Sequence, residues 1–201
     1  MKQITIVDYG LGNLRSVKKG LSKAGSSPII TSDPELISGS DGIILPGVGA
    51  FREGMAQLTP LKQAIIRRSK EVPLLGICLG MQMLLEWSEE HGRNEGLGLI
   101  PGDVRRFPHK EGYKIPHMGW NSVTIEKTDD PLFSGINSGE YFYFVHSYFA
   151  STRSEYTLAS TEYITDFASA VSDNSVYGLQ FHPEKSGSAG LKVLKNFIDI
   201  L

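Results

Sequence analysis

"PLLGICLGMQ", residues 73–82, is the stretch on which the reading of this chain turns. An apolar run leads into Cys78, the only cysteine of the sequence. Gly76 and Gly80 stand two residues away on either side, and a helix-compatible stretch follows. A strand that turns straight into a helix reverses within very few residues. Its pivot is driven into a strained backbone conformation and its neighbours must be small. The G-x-S-x-G elbow of serine enzymes has this form. Here it would read Gly76-Ile77-Cys78-Leu79-Gly80, with cysteine as nucleophile. Such a turn lifts the sulfur above the sheet, toward a helix N-terminus whose N–H groups favour thiolate and a developing oxyanion. A lone cysteine ending an apolar strand also suits a buried small hydrophobe. The elbow reading therefore needs a base elsewhere in the chain.

Outward from the elbow, strands and helices alternate. "ITIVDYG" (4–10), "PIIT" (28–31), "DGIILPG" (41–47) and "VPLLGIC" (72–78) read as buried strands. Leu14, Val17, Leu21 and Ala24 form a helical stripe closing near Gly25. Asp33-Pro34-Glu35 has the make-up of an N-cap, first-turn proline and first-turn acid. Met55, Leu58, Leu61 and Ile65 suggest a helix that Pro60 opens or bends, and Met81 to Glu89 another. Alternation through residue 90 predicts a mostly parallel sheet with helices on both faces.

From about 97 to 181 the texture changes to short strand-like runs: "GLGLIPGDVRRF", "SVTIEK", "EYFYFVHSYFA", "YTLAST", "FASAVS" and "VYGLQF". These predict antiparallel strands appended to the parallel sheet. Leu191, Leu194, Ile198 and Leu201 predict a closing helix. No linker or repeat divides the 201 residues, so one domain over 1–201 is expected. In an open α/β sheet ligands sit at the carboxyl ends of strands. That directs attention to "DYGLGN", "LPGVGA", "GICLGM" and "QFHPEKS".

The formal net charge is −2, with like charges grouped only in short pairs, which argues against nucleic acid or an anionic membrane as partner. The first residues lack the layout of a signal peptide, and no apolar stretch approaches bilayer-spanning length. One cysteine cannot make an internal disulfide, so the cytoplasm is the expected compartment. Neither the histidines nor the cysteine have metal-ligand spacing, and no metal or cofactor is expected.

Among five histidines, His182 is the informative one. In "GLQFHPEKS" (178–186) a strand-like run ends at His182-Pro183-Glu184. Side chains two apart on an extended segment point the same way, so Glu184 can orient His182 and stabilise its imidazolium. Alternatively, His182 merely ends a strand and Glu184 is a solvated charge. The loop "LPGVGAF" (45–51) follows a strand, and its glycines let backbone approach a ligand. It suits either an oxyanion-hole donor, together with Leu79 N–H, or a phosphate cradle. No nucleotide-binding fingerprint is present: Arg15 occupies the third small position of "GLGNLR", and no G-x-x-x-x-G-K-S/T occurs.

Taken in order, "PGVGAF", "GICLGMQ" and "FHPEKS" resemble class I, triad-type glutamine amidotransferases over nearly the whole chain. "DYGLGNLRS" (8–16), "PHMGWN" (116–121) and "YFVHSY" (143–148) are similar to the glutaminase subunits of imidazole glycerol phosphate synthases. The resemblance implies a flavodoxin-like α/β fold. It implies that Cys78 attacks the side-chain amide of glutamine, that His182 moves the protons, and that Glu184 orients His182. Water then hydrolyses a glutamyl thioester. Leu79 N–H and the Gly47-Val48-Gly49 loop would hold the oxyanion, the loop after a peptide flip. Gln82 and the Ser147–Tyr148 backbone would bind the amino-acid head of glutamine.

It further implies a (β/α)₈ cyclase partner in a heterodimer. Ammonia would pass to that subunit, which makes imidazole glycerol phosphate and AICAR in histidine biosynthesis. Asn13, Met118, Trp120, Tyr143 and Lys185 match positions facing it. "HMGWN", read as a loop, independently sets Met and Trp, residues enriched at interfaces, beside a glycine; the same Trp would also suit a core position under a turn. Two other readings stand: a glutaminase subunit serving anthranilate or aminodeoxychorismate synthesis, and a non-catalytic flavodoxin-like binding module with Cys78 inert.

Overall fold

The computed structural model describes residues 2–201. Its first half alternates as the apolar spacing predicts. β1 (Ile4–Val7), α1 (Leu14–Lys23), β2 (Ile29–Thr31), α2 (Pro34–Ser38) and β3 (Gly42–Gly47) come first. α3 (Phe51–Leu58), α4 (Lys62–Arg68), β4 (Leu74–Cys78) and α5 (Leu79–Leu84) follow. Asp33 caps α2 by accepting from Glu35 N–H at 2.9 Å. Pro60 sits in a 3₁₀ turn that separates α3 from α4, so the single apolar stripe of this region is carried by two helices.

β1 pairs in parallel with β2 and β3, and β3 with β4. Alternation along these strands feeds two apolar clusters. Ile44, Leu75 and Ile77 join α1 and the closing helix α6 (Gly187–Ile200) on one face. Ile43, Leu45 and Leu74 meet α2 through α5 on the other. A sheet covered on both faces needs apolar residues at every position, which is why these strands read as unbroken hydrophobic runs.

The second half is built of short strands: β5 (Trp87–Ser88), β6 (Asn94–Glu95), β7 (Asp103–Arg106), β8 (His117–Ser122) and β9 (Thr124–Ile125). Then come β10 (Tyr141–His146), β11 (Tyr148–Ser151), β12 (Thr157–Glu162), β13 (Asp166–Asp173) and β14 (Val176–Leu179). The main sheet runs β2-β1-β3-β4-β14-β13-β11-β7-β5-β6, with β12 on β13 and β9 on β12. The first five strands of that order are parallel, because β14 lies parallel to β4, and the 2-1-3-4-5 arrangement is that of flavodoxin-like sheets. β13 is antiparallel to β14 and opens the appended part.

Several sequence expectations are corrected. α5 ends at Leu84, not Glu89, because the 97–100 loop takes its terminal carbonyls: Leu97 N–H donates to Met83 O and Leu99 N–H to Leu84 O, each at 2.8 Å. Those contacts also keep 97–102 out of the sheet, so only Asp103–Arg106 of that run is strand. "SVTIEK" contributes the last residue of β8, Ser122, and the two-residue β9, Thr124–Ile125. "VYGLQF" completes the parallel part of the sheet. "EYFYFVHSYFA" is two strands that part at Ser147: β10 pairs with β8 in a separate ribbon, while β11 joins the main sheet. "HMGWN" is therefore strand, not loop. Its alternating apolar residues, Met118 and Trp120, face outward, and the opposite side carries His117, Gly119 and Asn121, so it lacks the apolar inward face that marks a buried strand. Among the described residues no helix is long and apolar enough to cross a membrane.

Candidate active site

Three strand ends converge on one point. β3 runs into the 47–50 loop, β4 ends on Cys78, and beyond β14 the chain reaches His182. Cys78 has φ +55° and ψ −111°, a conformation that non-glycine residues rarely hold. The flanking glycines follow from packing. A Cβ on Gly80 would lie 1.8 Å from Leu45 O, and one on Gly76 would lie 2.8 Å from Gly80 backbone atoms. The elbow is thus pressed onto the neighbouring strand, and the sulfur projects into a cleft of about 320 Å³. Val48, Gly49, Leu79, Gln82, Ser147, Tyr148 and His182 line that cleft with Cys78.

His182 Nδ1 lies 2.9 Å from Glu184 Oε1, and both side chains are buried. The pair lies across a 3₁₀ turn (Pro183–Lys185) rather than along an extended strand. His182 Nε2 is buried and makes no hydrogen bond within the protein. Burial opposes charge on this ring. Interactions with Cys78 and with the Glu184 carboxylate outweigh it and push the His182 pKa up to about 9. A residue of "DYGLGN" supports the neighbouring loop: Tyr9 donates its hydroxyl to Pro46 O at 2.7 Å. Burial, with Cys78 nearby, keeps that phenol protonated.

Gln82 lies one turn past Cys78, and its Nε2 donates to Tyr148 O at 2.9 Å and to Gln180 Oε1 at 3.0 Å. His146 Nδ1 is 2.8 Å from the same Tyr148 carbonyl. A carbonyl only accepts, so this ring carries its proton on Nδ1. His146 Nε2 then accepts from His117 Nδ1–H at 2.9 Å, and His117 Nε2 lies 3.3 Å from Asn121 Nδ2. Burial pulls His146 down to about 3 and His117 to about 4, so both are neutral near pH 7.

The β8–β10 ribbon places Trp120 opposite Tyr143 and Met118 opposite Val145. Met118, Trp120 and Tyr141 are exposed on one side, while Phe142, Phe144 and His146 are buried on the other. Lys185 Nζ lies 5.8 Å over the Tyr143 ring, and Trp120 meets that ring edge-on. Asn13 stands at the N-cap of α1 with no capping side-chain bond. Tyr143 N–H donates to Ser186 Oγ at 3.0 Å, and Tyr143 O accepts from His182 N–H at 2.9 Å. The ribbon is thereby tied to the turn bearing His182 and Glu184.

Sequence reasoning did not single out Gln180, Glu90 or the His117–His146 pair. Gln180 lies inside the quoted "GLQFHPEKS", where an alternating strand pattern cannot tell a site residue from a core one. Glu90 lines the cleft and accepts from Phe51 N–H, a pairing across 39 positions with no local signature. Among the described residues no three His, Cys, Asp or Glu side chains are grouped to hold a metal ion.

Comparison with known proteins places these features in a family. Residues 5–201 match the model of "Glutamine amidotransferase class-I". The chain is 56% identical, over the full length of both, to "Imidazole glycerol phosphate synthase subunit HisH" of Methanosarcina acetivorans. It is 48% identical to the protein of that name from Archaeoglobus fulgidus, with 98% of each chain covered. Among solved structures, "Structure of PurLQS from Thermotoga maritima" aligns at TM-score 0.75 and 21% identity, covering 99% of each chain. That likeness is one of fold.

Proposed function

We propose, from the premise that this chain belongs to the class-I glutamine amidotransferase family, that it is the glutaminase subunit of an imidazole glycerol phosphate synthase. The observation that carries the reading is the meeting, in one cleft, of a strained elbow cysteine and a buried His182–Glu184 pair. The names and full-length similarity of its relatives support the particular synthase.

In this reading the Cys78 thiolate attacks the side-chain carbonyl carbon of glutamine. The oxyanion is held by Leu79 N–H and by the Gly47-Val48-Gly49 backbone. The C–N bond breaks as the His182 imidazolium gives its proton to the leaving nitrogen, releasing ammonia and leaving a glutamyl thioester. Neutral His182 then takes a proton from water as the water oxygen attacks the thioester. The C–S bond breaks, freeing glutamate and thiolate. Glu184 keeps the Nδ1 proton of His182 directed and stabilises the imidazolium. The free oxygen of Gln82 and the Ser147–Tyr148 segment would hold the amino-acid head, and Glu90 offers a carboxylate for its ammonium group.

Ammonia released into water is lost to the synthesis. A partner is therefore part of the proposal: a (β/α)₈ cyclase subunit, bound in a cytoplasmic heterodimer, that receives it. Asn13, Met118, Trp120, Tyr143 and Lys185 are assigned to that interface. The bonds from Tyr143 to the His182 turn give the docked face a direct mechanical link to the base. The test is glutamate release from glutamine by the chain alone, and then with the cyclase subunit and its ribonucleotide, with Cys78→Ser as control. Strong stimulation that disappears in the variant is expected. Stimulation by a different synthase subunit, or turnover that survives loss of the thiol, would overturn the assignment.

A further inference from the structure

Gln180 is fully buried, and its side-chain amide lies between Gln82 and the nucleophile. Nε2 is 3.8 Å from Cys78 Sγ, and Oε1 accepts from Gln82 at 3.0 Å. The polarity of this amide is not free. Tyr148 O can only accept, so the amide end of Gln82 that faces it must be the NH₂ group. The second hydrogen of that NH₂ group points at Gln180, so Gln180 must present its oxygen there. Its N–H is then the end left for the sulfur. The same Tyr148 carbonyl takes the Nδ1 hydrogen of His146, filling its second lone pair and holding the arrangement in register.

The other neighbour of the sulfur has opposite polarity. Val145 O, at 3.8 Å, can accept from a thiol S–H but offers nothing to a thiolate. A backbone acceptor and an amide donor on one sulfur thus favour opposite protonation states, and only the donor is a side chain that can be changed. The titratable groups facing the sulfur's surroundings are His182, with Glu184 behind it, and Tyr9, while Glu90, His146 and Tyr148 line the same cleft.

We propose that Gln180 is a further catalytic residue, whose buried N–H, aimed by Gln82 and the Tyr148 carbonyl, orients the Cys78 sulfur and stabilises its thiolate. The proposal rests on the reading of Cys78 as nucleophile. A hydrogen bond to a charged group is worth more than one to a neutral group, and within a buried site it is hard to replace with water.

The test is the rate of Cys78 alkylation by iodoacetamide, followed against pH without glutamine. Gln180→Met keeps volume and removes the donor. Gln180→Glu keeps shape and presents oxygen to the sulfur. The alkylation midpoint is expected to move upward by about one pH unit in the methionine variant, a tenfold loss of thiolate near neutrality, and further in the glutamate variant. Gln82→Met, which frees the Gln180 amide to turn over, should move it the same way by less. An unmoved profile in folded Gln180→Met or Gln180→Glu protein would overturn the proposal, even if melting temperature fell, because a packing role alone lowers stability without changing thiolate formation. A wild-type profile matching an ordinary free thiol would instead overturn the nucleophile reading, and this one with it.

Discussion

Cys78, the proposed nucleophile, is held by its neighbours where a cysteine would not choose to sit. Its positive φ sits in a β4–α5 turn that is packed tightly because Gly80 lies against Leu45, Gly76 against Gly80, and Gly47 against Gly80 N, places where a Cβ would collide. Replacing Cys78 by Ala should cut glutamine turnover by at least ~10³-fold while far-UV circular dichroism stays unchanged, since nucleophile loss disables the whole unit. A folded variant keeping a tenth of parental turnover would end the nucleophile assignment. Glu184→Gln tests the base. In the proposed mechanism the raised His182 pKa, about 9, predicts an alkaline limb of kcat/KM near that pH, above which the ring would no longer carry the leaving group's proton. Removing the carboxylate charge weakens the imidazolium, so the limb should shift to lower pH. A limb that stays in place in the variant would show that Glu184 does not act on His182. At this scale the residues of the proposed triad were legible: glycine spacing marked the elbow, and H-P-E marked the His182–Glu184 contact. Gln180 and Glu90 were not, because their partners lie 102 and 39 positions away.

The β8–β10 ribbon shows what an element adds. Its alternation sends Phe142, Phe144 and His146 inward and leaves Met118, Trp120 and Tyr141 outside. Two neutral histidines buried in a ribbon make stability depend on pH. The folded pKa values of His146 and His117, about 3 and about 4, lie below their ordinary 6.5, so between those limits the unfolded chain binds more protons. Their contribution is fully present above pH 6.5 and is lost on acidification, each with a slope of roughly 1.4 kcal/mol per pH unit. His182 works in the other direction: its raised pKa stabilises fully below 6.5, an effect lost as pH rises through about 9. Urea unfolding at pH 7 and pH 5 should therefore show a smaller pH difference for His117→Phe/His146→Phe than for wild type. Equal differences would refute the neutral-pair account. Element types in the first half were readable from period alone. The early end of α5 was not, because a loop from residues 97–100 takes its carbonyls, and no local propensity encodes that competition.

For the whole molecule, the proposed division of labour is the strand ends of β3, β4 and β14 for chemistry and one ribbon face for docking. Trp120, half exposed and set against Tyr143, is the natural anchor of that face. Trp120→Ala should weaken cyclase binding by about 2 kcal/mol, roughly thirtyfold in Kd, with melting temperature nearly unchanged. Unaltered affinity by titration calorimetry would move the interface elsewhere. By itself the sequence determined the βα alternation, the elbow, the candidate triad and the family, because each is written in local period, spacing or a short motif. Only the tertiary structure decided that β14 lies parallel to β4 and so carries His182 to the cleft of Cys78. It also decided that "HMGWN" is a strand, and that the Gln180 amide turns its N–H toward the sulfur. Strand order and amide polarity are set by contacts between segments far apart in the chain, and local spacing carries no record of which distant partner a buried group will meet.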